Sequence, residues 1–239
     1  MQIEERNRRM IFDFKFWRYF TRQGELIHNL NETEMRGFGP RVFLVLLFGV
    51  LTFALPEIWG MNTASLTPYM AAGMDDTYLL ARYVSLFGVL IWAGIYLSFH
   101  LYGAAFAFHR ITDMPWRAAI VMQLYVVALL IIEKALNFII FSLAGFTMPV
   151  SILSFGPLAA TFLDASFLTF FFNQLTVVTA LIIALQYRFV RAFTTIPPKK
   201  LLFVLLLIHV AIALFVASFS LMPVEEWLVR FTEGGVPVE

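Results

Sequence analysis

The chain of 239 residues contains no cysteine, which rules out disulfide staples and thiolate metal sites and leaves the redox environment unreadable. Charge is scarce as well: Asp, Glu, Lys and Arg make up 14% of residues, against 60% hydrophobic residues and 27 Phe. A soluble core of this size needs far less apolar surface, so a soluble fold is excluded. Enzyme signatures are missing. There is no HExxH, no GxSxG, no phosphate-cradling glycine loop and no paired-carboxylate cluster at a membrane face. Neither an enzymatic activity nor a cofactor or metal centre is therefore expected. The basic residues sit beside hydrophobic runs, so nucleic-acid binding is not expected. Internal repeats and low-complexity tracts are absent too.

What the chain does have is a series of long apolar runs. They lie at about 42–59, 78–108, 116–143, 161–187 and 201–222, each near or above the ~18–20 residues that cross a bilayer. The expected fold is all-α: an integral membrane helix bundle of five transmembrane helices over residues 42–222. A preceding segment, 1–41, is polar at its start and holds no signal-peptide core, so the first span is read as a retained anchor. A short tail, 223–239, follows. The segment 144–160 carries Gly145, Pro149, Gly156 and Pro157 and reads as an outer loop or a re-entrant dip.

Orientation follows from the cations. Residues 1–41 hold Arg6, Arg8, Arg9, Lys15, Arg18, Arg22, Arg36 and Arg41. The same side receives Arg110, Arg117, Arg188, Arg191, Lys199 and Lys200, leaving Arg82 and Arg230 opposite and Lys134 within a span. Positive charge marks the cytoplasmic side, so the N-terminus is expected in the cytoplasm and the C-terminus outside the cell membrane. Before the first span, IFDFKFWRYF is dense in aromatics. As an amphipathic interfacial helix it groups Phe12, Phe16, Tyr19 and Phe20 beside Trp17, with Lys15, Arg18 and Arg22 opposite. Such a surface suits docking to the bilayer or to a partner. The alternation Phe12-Asp13-Phe14-Lys15-Phe16 also fits a strand.

The third run carries Glu133 and Lys134 inside an apolar stretch, where charges are costly and normally face protein. Gln123, Glu133, Lys134 and Asn137 fall within about a 100° arc of that helix. At ~1.5 Å per residue, Glu57, Glu133, Lys134, Asn173 and Gln174 share one level of the outer half, while His100 and His209 form a second level nearer the cytoplasm. Ser166, Thr169, Asn173 and Thr176 line one face of the fourth run. Two readings stay open for the first layer. It fixes helix register, or it forms a proton or solute site. Metal ligation by the two histidines lacks a third ligand.

The segment FWRYFTRQGELIHNLNETEMRGFGPRVFLVLLFGVL places a short aromatic helix before the first span. A second segment, FLDASFLTFFFNQLTVVTALIIALQYRFVRAFTTIPPKKLLFVLLLIHVAIALF, joins the last two spans by a short basic link. In both, over roughly residues 12–222, the chain resembles the Ypt-interacting-protein (YIP) domain family. The resemblance implies a non-enzymatic multi-pass protein that works through partners, such as an accessory subunit of an ABC-type exporter, and it supplies no catalytic residue. The alternative, from the residues themselves, is a small proton-coupled transporter that uses the Glu133/Lys134 layer. The Phe-rich faces permit a homodimer.

Overall fold

A computed structural model describes residues 11–32, 34–61, 63 and 66–222. The tail at 223–239 and the cations Arg6, Arg8, Arg9 and Arg230 lie outside the described residues. Among the described residues the architecture is all-α apart from one pair of three-residue strands. Four helices among the described residues are long and apolar enough to cross a membrane: Phe38–Trp59, Asp75–Ile111, Trp116–Ala144 and Pro198–Leu221.

The chain opens with a small β-α-α-β unit. Strand β1 (Ile11–Asp13) leads through α1 (Phe16–Thr21) and α2 (Gln23–Glu32) to β2 (Glu34–Arg36), which pairs with β1 in parallel, Phe12 opposite Met35. The start of this segment is therefore strand, over Ile11–Asp13, and only six residues, Phe16–Thr21, form the aromatic helix. The expected surface is largely used up internally. Phe14 and Tyr19 are buried, Phe16 stacks on Tyr125 at 4.8 Å, and Phe20 lies 5.9 Å from the same ring. Phe12 meets Tyr19 edge-on at 6.0 Å. Trp17 alone of the five named aromatics projects outward, 76% exposed. The end of the bundle that carries this unit is called basal below, and the other end apical.

Helix α3 (Phe38–Trp59) rises from the basal end and stops at Gly60, whose φ of 82° only glycine adopts cheaply. The hydrogen bonds Gly60 N–H to Glu57 C=O and Met61 N–H to Pro56 C=O close a Schellman motif there. Short α4 (Thr67–Ala71) precedes α5 (Asp75–Ser98), which descends through a π-helical turn (Phe99–Gly103) into α6 (Ala104–Ile111). Helix α7 (Trp116–Ala144) starts just after Pro115 and ends at Gly145, again left-handed with φ 69°. It is the axis of the bundle: α3, α6 and α10 all pack on it. Thirteen of its 29 residues are buried, against three of the 22 in α3. At Gly49 the α3 backbone comes so close to its neighbours that an added Cβ would lie 2.7 Å from Leu97 and 3.0 Å from Ile131. Glycine there sets the spacing of three helices.

The expected fourth span is not one helix. It divides into α8 (Gly156–Phe162), α9 (Ser166–Asn173) and α10 (Val177–Phe193), with extended backbone at Leu163, Ala165 and Thr176. Thr176 is the cause of the second break. Its hydroxyl accepts the Thr179 N–H at 2.9 Å, so it caps a new helix rather than continuing the old one. Helix α11 (Pro198–Ser218) then rises beside α9 and α10, opened by Pro198 in its first turn.

Candidate functional site

The apical break is where the polar residues of the bundle converge. Interrupting a helix frees backbone groups that hydrocarbon cannot satisfy, so such breaks survive only where protein or a cavity meets them. Here the loop after α7 does so. Phe155 N–H bonds to the Leu175 carbonyl at 3.2 Å and Val177 N–H to the Leu153 carbonyl at 3.3 Å, with Ser154 bridged antiparallel to Thr176. The loop thus folds back as a short clasp over the gap between α9 and α10.

Ser151 is the centre of this clasp. Its hydroxyl donates to the Glu133 carboxylate at 3.3 Å and accepts from the Asn137 amide at 2.8 Å and the Leu153 N–H at 3.3 Å. One donor and two acceptor sites are all a serine has, and all three are occupied. Asn137 returns the contact by accepting the Ile152 N–H at 3.1 Å. Asn173, the last residue of α9, accepts the Ser151 N–H at 2.7 Å and lies 3.0 Å from the Ser154 hydroxyl. The other Glu133 oxygen accepts from Thr176 at 3.3 Å, so the carboxylate sits at the start of α10 where the helix dipole favours negative charge. Gly156 completes the fit: a Cβ there would lie 2.9 Å from the Ser154 hydroxyl and 3.1 Å from Asn173.

Lys134 faces elsewhere. One residue is 100° on a helix, which turns its ammonium away from the Glu133 cluster and toward α3 and α5. There Nζ lies 4.5 Å above the Phe53 ring and 5.6 Å from that of Tyr96, a cation held by two aromatic faces. Lys134, Asn137, Ser151 and Asn173 together line a pocket of about 460 Å³, walled on its apolar side by Phe53 and Trp92. The clasp thus contributes three of its polar residues to the pocket that Lys134 faces.

The remaining expected residues lie apart. Glu57 is buried between α3 and α5, where Ser85 donates to its carboxylate. Arg82 reaches across to the Glu57 and Ile58 carbonyls at 3.3 and 3.0 Å, placing a cation on the C-terminal end of α3. Gln174 contributes its main-chain carbonyl, which accepts from the Thr179 hydroxyl at 2.9 Å. His100 sits in the π-helical turn, 4.3 Å from the Tyr96 ring, while His209 bonds through Nδ1 to the Leu205 carbonyl of its own helix at 2.9 Å. Each histidine is engaged locally.

Ser151 and Tyr125 were not singled out in the sequence. Ser151 lies in a Gly/Pro-rich loop where serine is commonplace, and Tyr125 is one more ring in an apolar run. Neither carries a local signal, because both act through partners distant in the chain: Tyr125 donates to the Phe16 carbonyl at 3.1 Å, across 109 positions. Comparison with known protein families, curated proteins and solved structures finds no match to this chain.

Proposed function

We propose that the protein is a non-enzymatic, multi-pass cell-membrane protein that binds a small acidic solute at the apical pocket and moves it with a proton. In this reading the broken segment α8–α10 is a fifth crossing, the basal end is cytoplasmic and the apical end extracytoplasmic. One observation carries it: a helix is interrupted at Gln174–Thr176 beside a pocket that a lysine lines. Discontinuous helices of this kind supply solute and ion sites in transporters. Lys134 would hold the acidic group of the solute, with Asn137 and Asn173 as hydrogen-bonding partners, and Glu133 would carry the proton.

Purified protein in liposomes loaded with a pH-sensitive dye, challenged with acetate, lactate, succinate and glutamate in turn, tests this. At least one acid should drive dye-reported flux above that of empty liposomes. Lys134→Met should abolish it, and Glu133→Gln should remove the proton coupling, both with unchanged elution on gel filtration. Flux that survives both substitutions, or none in the wild type, defeats the proposal.

A second reading keeps the accessory-subunit role that the YIP resemblance implies. What favours it is α5, where Gly88 and Gly94 face open space on a mostly exposed helix. Small residues of that kind admit a second helix at close range. Co-purification of exporter subunits with the wild type, lost in Gly88→Leu/Gly94→Leu, would select it.

A further inference from the structure

A second cavity, larger than the apical pocket and sharing only Thr52 with it, lies between α1, the basal end to the middle of α3, and the middle of α7. It measures about 920 Å³. Its walls are apolar: Leu44, Val45 and Phe48 from α3, and Ala128, Ile131 and Ala135 from α7. The alanines make it deep, since side chains that stop at Cβ leave room where the α7 surface would otherwise be filled. Its mouth is different. Lys15, Arg18 and Arg41 line the basal end, with the exposed indole of Trp17 beside them. Arg18 is committed to an ion pair with Glu25, whereas Lys15 and Arg41 have no ion-pair partner among the described residues.

The dimensions identify the occupant. From Arg41 to Thr52, which lines the far end, α3 rises ~16 Å, close to half of the ~30 Å hydrocarbon thickness. The groove therefore spans one leaflet, from headgroup level to the midplane. A slot one leaflet deep, apolar along its length and cationic at its outer mouth, has the shape and charge of a single phospholipid. Trp17 lies at the level where an amphipathic ring prefers the interface. A soluble peptide would leave the apolar depth unfilled. A partner helix would have no reason to end at the midplane, nor any need for the cations.

We infer that this groove is a binding site for an anionic phospholipid of the leaflet at the basal end, with its acyl chain along Leu44, Phe48 and Ile131 and its phosphate between Lys15 and Arg41. The inference uses no residue of the apical clasp, so it stands or falls separately from the solute reading. In it, the lipid ties the β-α-α-β unit to α3. The unit's first helix forms one wall of the slot, and two of the three mouth cations, Lys15 and Arg18, belong to the unit.

Native mass spectrometry of the detergent-solubilised full chain, titrated with phosphatidylglycerol or phosphatidylcholine, tests it. The wild type should retain phosphatidylglycerol at least tenfold more strongly. Lys15→Gln/Arg41→Gln, two exposed positions where folding is not at risk, should bring the two lipids to within twofold of each other. Ala135→Phe should fill the slot and lower retention of both lipids at least fivefold while leaving the gel-filtration profile unchanged. Equal retention of the two lipids by the wild type overturns the inference. So does undiminished phosphatidylglycerol preference in the double variant, or a co-purified polypeptide held at the groove in place of lipid.

Discussion

The two halves of α7 show how differently one helix can be held. In the basal half every residue from Val121 to Leu129 is buried, and of these only the small Ala128 borders the groove beside α1. A helix buried all round must be packed all round, and α6, α10 and the β-α-α-β unit do this. In the apical half the faces separate. Ile132, Leu136, Ile139 and Leu143 form an exposed apolar stripe at helical spacing, Glu133 and Asn137 face the clasp, and Lys134 faces the pocket. Shape holds the first half, and hydrogen bonds to a loop hold the second. Chemistry therefore concentrates apically, where polar groups already have a reason to be.

The largest effect should come from breaking the basal half at its centre. Tyr125 is fully buried and meets Phe14, Phe16 and Phe20 with ring centroids 6.2, 4.8 and 5.9 Å away. Tyr125→Ala should destabilise by about 3–5 kcal/mol, read from the denaturant midpoint in detergent. Tyr125→Phe keeps the ring and loses only the bond to the Phe16 carbonyl, for about 1 kcal/mol. If the two variants cost the same, the hydrogen bond rather than packing holds the unit, and the contrast between the halves fails.

Next in size is the clasp. Gly156→Ala inserts a Cβ against Ser154 and Asn173, and overpacking of this kind costs about 1–3 kcal/mol. The more telling readout is local. Amide exchange should accelerate at Phe155 and Val177, whose bonds span the clasp, and remain unchanged at Val121–Leu129. Acceleration in both regions would show that the halves unfold together.

The same division explains what could be read from the chain in advance. The four long helices were legible because their apolar runs end at local signals such as Gly60, Pro115 and Gly145. The interruption in the fourth run was not, since its apolar content is unbroken on either side of Asn173-Gln174. Its signal was there in part: Thr176 followed three positions later by Thr179 is a capping pair, but a threonine in an apolar run reads equally well as a small interfacial residue. The polar residues of the third run stood out in the chain because charges and amides are rare in an apolar stretch. That Glu133 and Lys134 serve different neighbours was decided by a loop and two helices whose placement no spacing rule supplies. The alternation from Phe12 offered a strand for β1. Its parallel pairing had no signal, because Glu34–Arg36 of β2 shows no apolar period and its place is set by α1 and α2 between the strands.

Smaller again is the cap itself. Thr176→Ala should cost about 1 kcal/mol, since the Thr179 N–H loses its acceptor. It also removes one of the two hydroxyls that hold the Glu133 carboxylate, leaving that of Ser151. Thr176→Ser restores both bonds. Recovery of solute-driven flux as well as stability in Thr176→Ser would tie the capping hydroxyl to the site. Stability recovered without flux would separate them.

A last effect, no larger than that of the cap, runs in the opposite direction and bears on the basal half alone. Gln123 is completely buried, and neither its amide oxygen nor its nitrogen has a hydrogen-bond partner among the described residues. An amide without partners in an apolar setting is a net cost, so Gln123→Met, which keeps the length and removes the polar atoms, should stabilise the protein by about 1 kcal/mol. A plug held by shape has no use for that amide. A loss of stability in Gln123→Met would mean that the amide is satisfied within the plug, and the basal half would then share the polar logic of the apical one. A gain in stability accompanied by lost solute-driven flux would tie Gln123 to the proposed transport rather than to the packing of the basal half.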